Sequence, residues 1–106
     1  GHLERVYEAA LEVELRESGL AVARQVPIAV AYRGQQLDEG FRADMVVDKL
    51  VLLELKSLEN LNNAHRKQVQ TYLRLSGLRL GLLLNFGADL MRRGTFRFVN
   101  GLPDDD

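Results

Sequence analysis

The sequence contains no cysteine among its 106 residues. This absence excludes disulfide bonds, thiol catalysis and zinc sites built from cysteine. No apolar run approaches the roughly 20 residues that a membrane-spanning helix needs, and the longest runs, at 50–53 and 80–84, have the length of a strand. No basic segment followed by an apolar segment opens the chain, so nothing suggests secretion. From these absences we expect a cytoplasmic protein without a membrane segment.

Two common types of catalytic motif are also missing. Gly77, Gly81 and Gly87 do not form a Gly-x-Gly-x-x-Gly pattern or a P-loop, which excludes nucleotide binding by that route. No serine lies in a nucleophile elbow, so the sequence gives no support for serine–histidine catalysis.

The composition is that of one ordinary folded domain. Hydrophobic residues make up 46% and charged residues 27% of the chain, and this length suits a single core. The net charge of −1 is unevenly distributed, because residues 61–99 carry seven Lys or Arg and one acid. This basic segment could contact a phosphate backbone or could simply be a solvated helix face. We expect one domain over residues 1–103, followed by an acidic tail at 104–106.

The hydrophobic pattern predicts an α/β protein. Apolar residues at helical spacing predict helices over 3–18 and 61–76, the second with Asn60 or Asn62 as its N-cap. Strand patterns occur at 25–33, 41–48, 50–56, 79–86 and, as an edge strand, 95–99. The segment 33–40 is rich in turn residues. Since helices must cover the sheet to bury its faces, the order α-β-β-β-α-β, with the edge strand added, predicts an α/β sandwich.

Charged residues interrupt two of the apolar strands. If residues 41–56 form a hairpin that turns around Lys49, Asp44 lies opposite Glu54 with about 5 Å between their Cβ atoms. Glu54 and Lys56 share a face of their strand because side chains alternate. Two carboxylates this close repel each other unless a cation lies between them, and Mg²⁺ accepts such ligands. The alternative is a set of salt bridges on a solvated face at the strand ends.

These residues and several longer segments resemble a known family. The arrangement Asp44…Glu54-x-Lys56 resembles the core of the PD-(D/E)XK nucleases, with Ala43 in place of the proline of that name. The opening segment GHLERVY at 1–7 resembles the signature of the GxxExxY proteins, a family of that superfamily. The resemblance extends over about residues 1–97, through the segments QVPIAVAYRGQQL, GFRADMVVD, LLELKSLENL, HRKQVQTYLRL and LRLGLLLNFG.

The resemblance implies a fold and a set of site residues. The fold would be a restriction-endonuclease-like core, with a mixed central sheet of about four strands flanked by helices. Asp44, Glu54 and the Leu55 carbonyl would hold Mg²⁺ or Mn²⁺, and Lys56 would be the catalytic lysine. Glu4 matches an acidic residue of the first helix that reaches the metal or its waters. The remaining matches are Gln68 and Tyr72, a Gln-x-x-x-Tyr element whose spacing places both on one helix face.

The resulting expectation is a metal-dependent nuclease that hydrolyses phosphodiester bonds of nucleic acid, with DNA as the first expectation. Arg66, Lys67 and Arg74 are candidate phosphate contacts or an ordinary exposed helix surface. A homodimer is a candidate assembly because it would present two sites to a duplex. The alternatives are a non-catalytic module of the same fold that binds nucleic acid or a protein, and a purely structural domain.

Four further residues have expected positions. Glu8 and Glu12 continue the stripe begun by Glu4 and are predicted to be solvated, while Tyr7 is predicted to lie in the core. His65 lies one helical turn before Gln68, and it either faces the site or has a structural role.

Overall fold

The computed structural model describes residues 2–37, 41–58, 61–87 and 94–100. The predicted acidic tail at 104–106, the boundary at residue 103 and the alternative cap Asn60 lie outside these residues. Within the described residues there are two helices and seven strands. They follow one another in the order α1 (His2–Glu17), β1 (Val22–Pro27), β2 (Val30–Tyr32), β3 (Gln35–Leu37), β4 (Arg42–Val47), β5 (Val51–Lys56), α2 (Asn63–Ser76), β6 (Leu80–Asn85) and β7 (Thr95–Val99).

Five strands form one mixed sheet in the order β1-β4-β5-β6-β7. Strands β5 and β6 run parallel, and every other neighbouring pair is antiparallel. The parallel pair is joined through α2, because parallel neighbours need a crossover connection. Strands β2 and β3 form a separate antiparallel hairpin. The predicted mixed α/β sheet with flanking helices is confirmed, and the predicted edge strand is present as β7.

The number of strands differs from the prediction in the first half of the chain. The single strand expected at 25–33 divides into β1 and β2, and the turn-rich segment after it contains β3. Arg33 and Gly34 both have positive φ values, 51° and 77°, and form the turn between β2 and β3. A second irregularity lies in β1, where Gln25 has a φ of 52°. The apolar pattern alone does not reveal these reversals of the backbone.

The hairpin of β4 and β5 has the predicted register. Met45 pairs with Leu53 and Val47 pairs with Val51, so the hairpin is centred on Lys49. Asp48 and Lys49 have φ values of 52° and 57°, although neither is a glycine. Asp48 is held there because its Oδ1 accepts a hydrogen bond from Ala21 N–H at 2.8 Å. A contact to a distant strand thus replaces the usual turn sequence.

The two helices cover opposite faces of the sheet. Helix α1 packs Leu11 and Leu15 onto one face, in a cluster with Val22, Met45, Val47, Leu53 and Leu55. Tyr7 belongs to this cluster and stacks on Phe86 with 4.3 Å between ring centroids, as its predicted core position requires. Helix α2 packs onto the other face, in a cluster formed by Ile28, Ala43, Leu52, Val69, Tyr72, Leu73 and Leu83.

The ends of α2 are fixed by local hydrogen bonds. The Asn62 side chain accepts from His65 N–H at 3.2 Å, and His65 Nδ1 accepts from Asn62 N–H at 3.3 Å. Gly77 ends the helix in the left-handed conformation that glycine favours. His65 therefore has the structural role, because its backbone and its ring both take part in the N-terminal cap of α2. Neither described helix is long and apolar enough to cross a membrane.

Candidate active site

The acidic pair lies where the ladder between β4 and β5 ends. The described backbone pairs stop at Met45 and Leu53. Beyond them, Glu54 Oε1 accepts a hydrogen bond from Asp44 N–H at 3.0 Å. In return, Asp44 Oδ2 accepts one from Leu55 N–H at 2.8 Å. Each carboxylate therefore binds the backbone of the opposite strand, and this exchange fixes the two acids next to each other.

Burial makes the charged form of this pair costly. Glu54 is only 3% exposed. Its burial, followed by the nearby charge of Asp44, raises its pKa from 4.5 to about 8. Burial also raises the pKa of Asp44, and the charge of Glu8 adds to this increase. In the absence of a cation, the pair therefore retains a proton at neutral pH.

Lys56 is the nearest cationic residue of the predicted site. It follows Glu54 by two residues on β5 and is half-buried, so both side chains leave the strand on the same face. Its positive charge lowers the pKa values of Asp44 and Glu54, against the larger effect of burial. The structure thus brings Asp44, Glu54 and Lys56 together, while the metal-ligand role of the Leu55 carbonyl stays a prediction.

A small cavity lies between Asp44 and α1. Its volume is about 120 Å³, and Asp44 and Glu4 both contribute to its wall. The complete lining is Glu4, Arg5, Glu8, Gln25, Asp44 and Leu55. The structure therefore brings Glu4 to the site from the first helix, although its predicted role toward a metal stays a prediction.

The prediction that Glu8 is solvated is wrong. Glu8 is 4% exposed, and Arg24 Nε donates to its Oε1 at 3.1 Å. Gln25 Nε2 donates to both carboxylate oxygens, at 3.1 and 3.2 Å. Glu8 looks equivalent to Glu4 and Glu12 in the sequence because its partners, Arg24 and Gln25, come from a strand farther along the chain. Glu8 also lies three residues before Leu11, on the edge of the apolar stripe, and this spacing could have revealed its burial.

Glu12 and Gln25 take part in the same hydrogen-bond network as Glu8, but the sequence analysis singled out only Glu12. Glu12 is partly exposed and bonds Arg16 and Arg24, each at 3.1 Å or less. The hydrogen bond from Arg16, followed by that from Arg24, lowers its pKa. Gln25 was not anticipated as a site residue. Its positive φ interrupts the β1–β4 ladder between the pairs Arg24–Met45 and Val26–Ala43, directly across from Asp44.

Helix α2 places the predicted Gln-x-x-x-Tyr element beside the acids. Gln68 Nε2 donates to Tyr72 Oη at 3.1 Å. Tyr72 is buried, and burial, followed by the charge of Glu54, raises its pKa above the ordinary value of 10. The hydroxyl therefore stays neutral and able to donate a hydrogen bond near the carboxylates. The Tyr72 ring also contacts Phe41, with 5.3 Å between centroids and a tilt of 57°.

The three candidate phosphate contacts of α2 lie in different surroundings. The guanidinium of Arg66 lies over the Phe96 ring of β7, 4.4 Å from its centroid. Lys67 is exposed to solvent. Arg74 lines a cavity beside the β2–β3 hairpin, together with residues such as Gly34 and Gln36. The structure does not gather these three cations into one patch, and their contacts to nucleic acid stay a prediction.

The segment after Lys56 is anchored by a buried amide. Asn85 Oδ1 accepts from Leu58 N–H at 2.9 Å and from Gly87 N–H at 3.0 Å, and Asn85 Nδ2 donates to the Leu58 carbonyl at 3.0 Å. A side chain at Gly87 would overlap this segment, since its Cβ would lie 2.2 Å from the Leu58 carbonyl oxygen. Asn85, which the sequence did not single out, thus holds the chain where it leaves the site.

The donor set suits a hard divalent cation with few protein ligands. Among the described residues, no group of three or more His, Cys, Asp or Glu side chains is arranged to hold a metal ion. Mg²⁺ does not require such a group, because it uses one or two carboxylates and keeps water and substrate phosphate in its other positions. The buried Glu54 and the half-buried Asp44, both with raised pKa values, offer such a pair, and a cation would offset their repulsion.

Comparisons with known proteins show the family and the fold of the chain. The model of the PD-(D/E)XK nuclease superfamily matches residues 1–98. The solved structure described as "Crystal structure of SSO0001" superposes with a TM-score of 0.69 at 19% identity, over 95% of this chain and 52% of that one. At this identity the superposition shows a shared fold alone, and the present chain spans about half the length of its counterpart. None of the curated proteins compared with the chain matches it.

Proposed function

We propose that this chain, which belongs to the PD-(D/E)XK nuclease superfamily, is a metal-dependent nuclease that hydrolyses phosphodiester bonds of nucleic acid. The observation that carries the proposal is the exchange of hydrogen bonds between Asp44 and Glu54 across the end of the β4–β5 ladder. It holds a buried and a half-buried carboxylate together, with Lys56 nearby. Within the superfamily, the GxxExxY family is our proposed assignment, from the segment at residues 1–7.

In this proposal Asp44, Glu54 and the Leu55 carbonyl hold Mg²⁺ or Mn²⁺. When bound, the metal supplies positive charge at the scissile phosphate and lowers the pKa of a coordinated water. Lys56 orients the attacking water and offsets the negative charge that develops on the phosphate. Glu4 contributes a carboxylate from the cavity wall. The substrate is nucleic acid, with DNA as the first candidate, in a cytoplasmic protein that could act as a homodimer.

Helix α2 contributes a neutral hydrogen-bond donor on the other side of the acids. Gln68 donates to the Tyr72 oxygen and thereby leaves the hydroxyl proton free to point toward the site. The raised pKa keeps that proton on Tyr72 at neutral pH. Arg66, Lys67 and Arg74 extend from the same helix as separate phosphate contacts.

A non-catalytic module on the same fold is the second candidate function. It is favoured because the fold accommodates Asp44 and Glu54 without a cation. Each carboxylate already accepts a backbone hydrogen bond, and Glu54 retains a proton at neutral pH. Such a domain would bind nucleic acid or a protein partner without needing a metal. Its affinity for nucleic acid would fall with salt and would be indifferent to Asp44→Asn.

Calorimetric titration with Mn²⁺ at about pH 8, where Glu54 begins to lose its proton, tests the nuclease proposal. We expect the wild type and Glu14→Gln, which changes an exposed glutamate of α1, to bind the ion, and Asp44→Asn to lose binding. Cleavage of single- and double-stranded DNA should disappear in Asp44→Asn and in Lys56→Ala. Absence of Mn²⁺ binding by the wild type would refute the proposal, and cleavage that survives both substitutions would indicate a contaminating enzyme.

A further inference from the structure

An exposed aromatic ring lies at the entrance to the site. The Phe41 side chain is 38% exposed, although it directly precedes β4 and its carbonyl accepts a hydrogen bond from Ile28 N–H at 2.9 Å. The backbone of Phe41 is therefore tied to the edge of the sheet. One part of the ring contacts Tyr72, and another part is accessible to solvent.

This ring is close to the acidic pair by two routes. Along the chain, Phe41 precedes Asp44 by three residues. Across the fold, it touches Tyr72, whose hydroxyl is near enough to Glu54 and Asp44 for both charges to act on it. An apolar, flat surface thus adjoins the place where a phosphate would bind. A nucleotide chain held by its phosphate at the acids would carry a neighbouring base within the region of this ring.

We propose that Phe41 is a base-stacking residue that gives the site a preference for single-stranded over double-stranded nucleic acid. The inference rests on the proposed nuclease function. Base pairs inside a duplex already cover each other's faces, so only an unpaired base can place its face on a protein ring. Tyr72 supports the Phe41 ring from behind, and this support restricts its movement. Stacking of this kind does not depend on base sequence, because every base has a flat face.

The absence of tryptophan from the chain gives a direct test. Phe41→Trp introduces a single tryptophan at the proposed surface, and excitation at the red edge of its absorption avoids the three tyrosines of the chain. Tyr32→Trp is the matched control, since Tyr32 is an exposed aromatic, 60% accessible, on the separate β2–β3 hairpin. Ca²⁺ replaces Mg²⁺ to permit binding without turnover. Oligothymidylate should quench the emission of Phe41→Trp strongly and that of Tyr32→Trp little. An oligomer of the same length with abasic sugars should quench neither.

The affinity measurement separates stacking from phosphate binding. Loss of one stacked base predicts that Phe41→Ala binds oligothymidylate about 5- to 150-fold more weakly than the wild type. Its affinity for the abasic oligomer and for a duplex should be unchanged. Phe41→Leu keeps an apolar contact with Tyr72 but lacks a flat face, so it should behave like Phe41→Ala and also shows whether the fold tolerates the change.

Equal quenching at positions 41 and 32, or an equal loss of affinity for oligothymidylate and the abasic oligomer, would overturn the inference. Cleavage by the wild type with Mg²⁺ decides the proposed function separately. If the wild type cleaves and Phe41→Ala keeps the same relative affinity for single and double strands, the inference fails and the nuclease proposal stands. If bases stack on Phe41 but no nucleic acid is cleaved, the nuclease proposal fails and the stacking surface stands.

Discussion

Replacing Glu54 with glutamine should remove the contribution of Glu54 to the pH dependence of stability of the metal-free protein between pH 4.5 and about 8. In the wild type, the folded state raises the pKa of Glu54 to about 8, from 4.5 in the unfolded chain. Between these values the folded protein holds a proton that the unfolded chain has released. The free energy of unfolding therefore falls as the pH rises through this window.

The size of the effect follows from the same difference. One pH unit corresponds to about 1.4 kcal/mol, so a rise from 4.5 to neutral pH removes about 3 kcal/mol of stability. Such a loss is a large fraction of the ~5–15 kcal/mol that stabilises a typical domain. Glutamine has the shape of protonated glutamate, and its Oε1 can still accept the hydrogen bond from Asp44 N–H. We therefore expect Glu54→Gln to be about 3 kcal/mol more stable than the wild type at neutral pH.

The difference in stability is measured by urea unfolding in the presence of a chelator, monitored by circular dichroism at several pH values in this window. Asp44 contributes its own pH dependence to both proteins, because burial raises its pKa as well. Glu14→Gln, at an exposed position of α1, controls for the loss of a negative charge and should follow the wild type. If the free energies of unfolding of the wild type and Glu54→Gln change with pH in parallel, the raised pKa of Glu54 and the retained proton are both refuted.

Three further predictions concern the metal and two backbone anchors. The affinity of the wild type for Mn²⁺ should rise by up to about tenfold per pH unit below pH 8, because Glu54 must release its proton to bind; calorimetry that finds no pH dependence would contradict this. Asn85→Ala should cost about 3 kcal/mol in urea unfolding because it removes three hydrogen bonds between this buried side chain and the backbone of Leu58 and Gly87. Asn85→Asp should lose less at a pH low enough to protonate the new carboxyl, which can then accept from Leu58 N–H and donate to the Leu58 carbonyl. Equal losses there would show that the hydrogen bonds are not the cause. Gln25→Gly should be more stable than Gln25→Ala by about 1 kcal/mol, since both lose the contacts to Glu8 but only glycine adopts a φ of 52° without strain; the reverse order would exclude strain at this position.

The part of the site predicted from sequence depends on short-range geometry. The register of the β4–β5 hairpin follows from its length and its apolar pattern, so the sequence could place Asp44 near Glu54. The helical spacing of Gln68 and Tyr72 likewise puts both on one face of α2. In both cases the residues involved are joined by one regular element or one tight turn, and their relative positions need little information from the rest of the chain.

The parts that the sequence did not predict depend on contacts between distant segments. The burial of Glu8 requires Arg24 and Gln25, which reach it from β1. The first predicted strand divides between Pro27 and Val30, and no glycine marks that position. The positive φ of Gln25 within β1 also has no glycine to indicate it. Asn85 resembles any polar residue at a strand end until Leu58 is brought beside it. Long-range hydrogen bonds of this kind leave no periodic signal.

The irregular backbone of β1 also affects how the protein can associate with other molecules. This strand is an edge strand of the five-stranded sheet. Exposed edge strands can pair with a strand of another chain, and such pairing leads to aggregation. Gln25 turns its peptide group out of line, and two residues later Pro27 has no N–H to offer. The outer side of β1 therefore presents no continuous row of donors and acceptors. Two subunits that associate at β1 would therefore contact each other through side chains and not through a continuous intermolecular sheet. Aggregation by strand addition at this edge is disfavoured.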